Sequence, residues 1–424
     1  MKHIKLSLKD GKSLLKGRLP GQLVIQYSNR CNADCPQCGM RRSNNIPRHT
    51  LPKERCRKLI DEGARAGVRS LSFTGGEPLL FLDDVVELIN YADYAGIPYI
   101  RTGTNGFFLK NWERPDFEAK VSRIAEKLAS TKLYNFWISL DSAVAEDHES
   151  IRGLPGIVKG IEKSLPIFHR HGIYPSANLG LNRAIGGRDC QPFLTDTDAE
   201  AFEQVFTESF ERFYTFVEAL GFTIVNACYP MSSETGCGEK NNGEIDAQLY
   251  GAASNDAMIV FSKEEKRILF KALYNTIPKY RGNLRIFSPR CSLYSLQRKF
   301  NGDRTPLFSC RGGHDFFFAE CNEGKIYPCG YRDEPFDTLP DLTRRNGKII
   351  DCDRCEWECF RDPSDLMGPF AELFSRPLKL MGKVRQDPEF FKILKDDLFY
   401  YRACDYFNGR QAPDFSKMKP FGEA

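Results

Sequence analysis

The sequence predicts an α/β protein in which six βα units form a parallel sheet curled into a partial (β/α)6 barrel, followed by a smaller Cys-rich α+β domain. Three observations lead there. Residues 22 to 230 alternate short β-rich runs with amphipathic helical stretches, the pattern of parallel strands joined by crossover helices. A polar, Gly- and Asn-rich stretch at 232–256 interrupts that alternation. Eight of the 15 cysteines then fall between Cys291 and Cys404.

Taken in order, strands are expected at 22–28, 70–74, 99–103, 135–140, 174–181 and 222–229. Helices are expected between them at 52–66, 82–95, 116–130, 156–171 and 197–220. The Phe202, Val205, Phe206, Phe210 and Phe213 series reads as a helix face packed on the sheet. Right-handed crossovers curl such a sheet and leave one side open for a large substrate. A further helix is expected at 262–276, and Asn322-Glu323-Gly324 between two apolar runs reads as a hairpin turn. The tail from 365 reads as helical, and its Phe- and Tyr-rich stretch at 390–407 as an amphipathic helix packed on the domain. The expected divisions are an N-terminal extension (1–21), the barrel (22–231), a linker with a bridging helix (232–284), and the Cys-rich domain with its tail (285–424).

At 424 residues the chain exceeds the roughly 250–300 at which single cores stop growing. Its 60 Lys and Arg against 56 Asp and Glu leave +4, too even to select nucleic acid or an anionic membrane as the main partner. No apolar run approaches the roughly 20 residues that span a bilayer. The opening MKHIKLSLKDGKSLLKG also lacks the apolar core of a signal peptide. A cytoplasmic protein is expected, and there cysteines favour metal ligation over disulfides. Cys56, Cys190, Cys228 and Cys237 are scattered and read as packing residues or loop thiols.

Cys31-x3-Cys35-x2-Cys38 directly follows the first strand, at the carboxyl end of the sheet where such folds bind ligands. Cubane iron–sulfur clusters normally take four thiolates, and CNADCPQCGMRRS offers three, which leaves one iron open. The rival is structural zinc, which would need a fourth ligand that is not apparent nearby. The spacing resembles the signature of the radical S-adenosylmethionine (SAM) superfamily. The residue before the third cysteine, usually aromatic in that family, is Gln37.

Four more segments follow in the order the resemblance implies. Gly75-Gly76-Glu77-Pro78 ends the second strand; its glycines permit close backbone approach and Glu77 can accept from an ammonium group. It is similar to the family's GGEP, which holds the methionine amino group, although alone it would be an ordinary turn. Thr104-Asn105-Gly106 follows the third strand and resembles a TNG beside the cofactor, or else a turn with positive φ. Ser139 and Asp141 close the fourth strand, and His148 and Arg152-Gly153 follow, resembling an S-x-D…R-G stretch. Ser139, Asp141 and Arg152 would meet the ribose hydroxyls or the methionine carboxylate, or else form a cap and surface ion pairs. Asn178 and Asn182, polar in an apolar strand, are weaker candidates for ribose or substrate. The resemblance implies reductive cleavage of SAM to a 5′-deoxyadenosyl radical that abstracts a substrate hydrogen.

In the C-terminal region Cys310, Cys329, Cys352, Cys355, Cys359 and Cys404 resemble the SPASM/Twitch extensions, which carry auxiliary [4Fe–4S] clusters. The hairpin at Gly324 would bring Cys310 and Cys329 together. The second half departs from the full SPASM pattern, with Pro363 near where a missing cysteine would fall. With Cys291 and Cys321 eight thiols are available. One grouping is Cys291, Cys310, Cys321 and Cys329, with Cys352, Cys355, Cys359 and Cys404 apart. A single cluster fits equally, and a zinc ribbon hooked on Cys352 and Cys355 is the rival.

The expected function is a radical SAM oxidoreductase or lyase acting on a ribosomally made peptide or protein. A small molecule such as a sugar, cyclitol, nucleoside or lipid is the alternative substrate. A non-catalytic iron–sulfur carrier or zinc-stabilised binding protein is the alternative of another class. Only 21 residues precede the first strand, so a separate leader-binding partner is expected, together with a flavodoxin or ferredoxin reductant.

Overall fold

The computed structural model describes residues 8–39, 47–194, 198–230, 254, 256–302, 306–332, 335–340, 342, 352 and 356–422. Cys237, Cys355 and nearly all of the expected 232–256 linker lie outside the described residues, as does the side chain of Cys190.

The six expected strands are β1 (Gly21–Ser28), β2 (Val68–Gly75), β3 (Tyr99–Thr104), β4 (Leu133–Ser139), β5 (Ser176–Gly180) and β6 (Ile224–Cys228). All five neighbouring pairs are parallel. The intervening helices run Lys53–Ala66, Leu82–Tyr94, Phe117–Ala129, Ile157–Arg170 and Ala199–Leu220, each within a few residues of its expected bounds. Parallel strands need such crossovers, and the helices bury their apolar faces against the sheet. Phe202, Phe206, Phe210 and Phe213 are buried on the longest of them, while Val205 stays partly exposed at the edge of that face.

The sheet extends beyond the six strands. β7 (Arg285–Ile286) pairs with β6, and β8 (Phe316–Ala319) pairs parallel to β1 and antiparallel to β9 (Ile326–Tyr327), giving the order β7-β6-β5-β4-β3-β2-β1-β8-β9. The hairpin turning at Gly324, whose φ is 71°, is therefore the rim of the same sheet. Phe316, Phe317 and Phe318 are buried on both of its faces, so their apolar run could not stand alone in water.

β7 and β9 are the unjoined ends, so the barrel is partial. Residues from the ends of β2 through β6 nevertheless line one cavity with the cysteine loop that follows β1. Laid flat, six strands would span about 24 Å, so the sheet must curl. The tail seals the opposite end: Gly409 bonds to the backbone of Tyr134 and Tyr174, and Arg410 donates to the carbonyls of Ala129, Thr131 and Gly172. Arg281 and Asp397, paired at 2.6 Å, lock the helix Pro388–Ala403 to the barrel's outer helices. The helix Leu8–Leu15 packs on the helix Glu358–Ser375.

Gly160 lies in a helix where a Cβ would overlap the carbonyl oxygen of Leu109. Gly160→Ala is expected to destabilise the protein by about 1–3 kcal/mol, as overpacking does in a closed core. Urea unfolding of the two proteins would measure it.

Candidate active site

β1 ends at Ser28, and the chain turns across the carboxyl end of the sheet as a loop carrying Cys31, Cys35 and Cys38. Backbone contacts on two sides hold that loop. The glycines after β2 let it approach: a Cβ on Gly75 would overlap the Ser28 carbonyl oxygen, and one on Gly76 that of Arg30. The Gly76 and Glu77 amides bond to those carbonyls at 2.7 and 2.8 Å. The glycine pair thus admits the cysteine loop, and both glycines also line the cavity. From the other side the Asp34 amide donates to the Arg152 carbonyl at 3.1 Å.

Glu77 is buried at the cavity floor, 1% exposed. It accepts from the Leu79 amide (3.0 Å), the Thr104 hydroxyl (2.7 Å) and the Asn105 amide (2.6 Å). Burial still outweighs these donors and pushes its carboxyl up to about 7. Thr104 and Asn105 are therefore the clamp on Glu77, and Asn105 Nδ2 also reaches Asn32 Oδ1 at 3.0 Å and Cys31 Sγ at 3.7 Å.

Asp141 is fully buried and does not line the cavity. It binds Arg152 bidentately at 2.8 and 3.0 Å and accepts from Gln37 Nε2 at 3.0 Å and the Gly180 amide at 3.3 Å. Arg152 and Ser139 line the cavity. The guanidinium opposes the desolvation that pushes Cys35 up to about 12 and also raises Cys31. His148 Nδ1 accepts the Asp141 amide at 3.0 Å, and burial brings that imidazole down to about 4. Asn178 and Asn182 are not among the residues that line the cavity: Asn178 accepts from Asn226 (2.9 Å) and from the Cys228 thiol (3.4 Å), and Asn182 bonds to the Asp141 and Gly180 carbonyls.

The chemistry of this donor set suits an iron–sulfur cube. All three cysteines line one cavity of about 250 Å³, and the Ala33 amide donates to Cys31 Sγ at 3.4 Å, favouring a thiolate. Among the described residues no three His, Cys, Asp or Glu side chains converge on a single ion position.

The C-terminal cysteines separate. Cys310, Cys329 and Cys352 line a second, smaller cavity. The Gly312 and Tyr331 amides donate to Cys310 and Cys329 Sγ, each at 3.4 Å. Around them Trp357, Phe360, Phe316, Phe318 and Tyr331 form an apolar shell. Cys291 packs by Asp397, Cys321 by Glu320, Cys404 by Tyr400, and Cys359 beside Glu358, none at this cavity. The structure thus does not assemble the grouping of Cys291 and Cys321 with Cys310 and Cys329.

The remaining walls of the main cavity are Trp137, Leu181, Cys228, Tyr229, Pro230, Ile259, Tyr331, Trp357 and Glu358, which the motifs did not single out. Cys228 to Pro230 sit at the end of β6, so the rule that ligands meet strand ends would have found them. Trp357 and Glu358 precede or open a helix about 130 residues further on, with no such signal.

Fold and cavity together define a partial barrel whose strand ends and cysteine loop line one cavity. Residues 25–181 match the model of the radical SAM superfamily, so this stretch is a radical SAM domain, of the kind whose enzymes use a [4Fe–4S] cluster and SAM. The chain is 24% identical over 348 residues to the AdoMet-dependent heme synthase of Methanosarcina barkeri, covering 80% of this chain and 87% of that protein. It is 32% identical over 161 residues to the GTP 3′,8-cyclase of Clostridium botulinum, covering 36% of this chain and 45% of the cyclase, so it spans less than half of that relative. Streptococcus suis SuiB bound to precursor peptide SuiA superposes with a TM-score of 0.49 at 16% identity, over 77% of this chain and 64% of that one. Among the described residues no helix is long and apolar enough to cross a membrane.

Two measurements test the site's electrostatics. Arg152→Met leaves Asp141 buried without its cation and is expected to cost about 3–5 kcal/mol in urea unfolding. Glu77 binds its proton more tightly folded, at about 7, than the ordinary value of 4.5. Its contribution to stability is complete below pH 4.5 and is lost as pH rises through 7. Ligand-free wild type should therefore lose stability relative to Glu77→Gln between pH 5 and pH 8, and parallel curves would refute this.

Proposed function

We propose that Cys31, Cys35 and Cys38 hold the SAM-binding [4Fe–4S] cluster, and that the enzyme cleaves SAM reductively to abstract a hydrogen from its substrate. The observation that carries this is the convergence of the three cysteines, Glu77 and Arg152 on one cavity where six strands end. The cluster, when bound, supplies the electron that breaks the sulfonium bond. Glu77, kept buried by Thr104 and Asn105, takes the amino group of SAM, and that cation holds the carboxylate ionised. Arg152 faces the SAM carboxylate with Asp141 fixing its orientation, and Ser139 offers a hydroxyl to the ribose. Gln37 occupies the place of the family's aromatic residue, so a side-chain amide replaces a ring there.

The second cavity is read as one auxiliary cluster site, with Cys310, Cys329 and Cys352 as ligands and Cys355 as the fourth. Cys291, Cys321, Cys359 and Cys404 are left out of that reading. The same reading divides the chain into the barrel and the auxiliary-cluster region at the bounds given above. The protein is placed in the reducing cytoplasm, with a flavodoxin or ferredoxin as electron donor.

A peptide is the first substrate reading, supported by the resemblance of the C-terminal cysteines to extensions that accompany peptide-modifying enzymes. A separate leader-binding protein belongs to that reading. A small molecule is the second, supported by the match to a heme synthase over 87% of that protein's length.

Anaerobically reconstituted protein given dithionite and SAM should release 5′-deoxyadenosine, and replacing Cys31, Cys35 and Cys38 with Ala should abolish it. An intact cluster without cleavage would refute the reading. The triple variant should retain about four irons per chain, the content of one cubane cluster. About eight would restore the two-cluster arrangement.

A further inference from the structure

Of the described cysteines outside both cysteine groups, Cys56, Cys291, Cys321 and Cys404 are sealed in the interior. Cys228 lines the main cavity. It ends β6, across the curled sheet from the loop that follows β1, so its thiol shares the cavity with Cys31, Cys35 and Cys38.

Its surroundings are those of a working group rather than a packing residue. Cys228 Sγ donates to Asn178 Oδ1 at 3.4 Å and accepts from Asn226 Nδ2 at 3.8 Å, and the carboxyl of Glu358, which lines the same cavity, lies beside it. Glu358 is 8% exposed and also accepts from the Tyr229 amide at 3.3 Å and from Cys359 Sγ at 3.5 Å. Burial raises the carboxyl above its ordinary range and the thiol well above its own. A thiol shifted in that direction is a poor nucleophile and a poor metal ligand. What remains open to it is its weak S–H bond, the group in this cavity most readily broken by a carbon radical.

Resting on the reading above, we propose that Cys228 is the hydrogen-atom donor of the cavity and that Glu358 supplies the proton that reloads it. The Sγ–H bond breaks homolytically as a C–H bond forms on the substrate radical, leaving a thiyl radical. One electron from the low-potential reductant that SAM cleavage already consumes, with the carboxyl proton of Glu358, restores the thiol. Solvent then reprotonates Glu358. The substrate carbon ends with as many hydrogens as it began with, which assigns a redox-neutral reaction class such as inversion of a stereocentre.

The test needs no substrate. Reconstituted protein is given SAM and dithionite in D2O, where the thiol becomes S–D and quenches the 5′-deoxyadenosyl radical. Wild type should yield 5′-deoxyadenosine carrying one deuterium, and Cys228→Ser and Cys228→Ala should lower that label at least tenfold. Glu358→Gln should keep the label in the first turnover and slow later turnovers at least tenfold. Independently of turnover, Cys228 should be alkylated by N-ethylmaleimide only slowly, over hours in alkaline buffer, and more slowly still with SAM bound, read by mass spectrometry of the reconstituted protein. Unlabelled 5′-deoxyadenosine, a label that survives both Cys228 variants, or alkylation indifferent to SAM would overturn the proposal and leave SAM cleavage standing. Unslowed later turnovers in Glu358→Gln would remove Glu358 from it. Absence of 5′-deoxyadenosine from cluster-loaded protein would sink both readings together.

Discussion

Asp141 has no solvent exposure and holds together parts of the chain that are far apart in sequence. Its carboxylate takes two bonds from Arg152, one from Gln37 on the cysteine loop and one from the Gly180 amide of β5, while its own amide and carbonyl engage His148 and Asn182. The cysteine loop has little regular structure of its own, so its position depends on such anchors. A bidentate guanidinium repays the burial of a carboxylate only when the remaining lone pairs are also satisfied, and here they are. The arrangement fixes the Arg152 guanidinium against the cysteines, where its charge favours thiolate.

The second constraint is the wall between the two cavities. Among the described residues Trp357 alone lines both, 3% exposed, with Tyr331 edge-on at 5.4 Å and Phe360 at 4.5 Å. Tyr331 lines the main cavity while its amide donates to Cys329. The aromatic partition separates the two cysteine groups by side chains rather than by backbone.

The strands and helices of the barrel half were legible because their period and length are written locally, and each expected element lies within a few residues of the observed one. The motifs were legible because a parallel sheet delivers residues after each strand to one end. Their division of labour was not. Gly75 and Gly76 answer the backbone of Ser28 and Arg30, Thr104 and Asn105 clamp Glu77, and Asp141 sits behind Arg152 rather than in the cavity. Each depends on which neighbour the crossover brings alongside.

The sequence by itself determined the parallel α/β architecture, the three-cysteine loop after β1 and the hairpin at Gly324, because side-chain period, cysteine spacing and turn chemistry are properties of contiguous residues. The tertiary structure alone decided that this hairpin joins β1 in one nine-stranded sheet, and that Cys310, Cys329 and Cys352 meet while Cys291 and Cys404 do not. It also decided that Cys228 and Glu358, 130 positions apart, face the same space. Spacing along a chain says which groups are available; only burial and sheet closure say which ones meet.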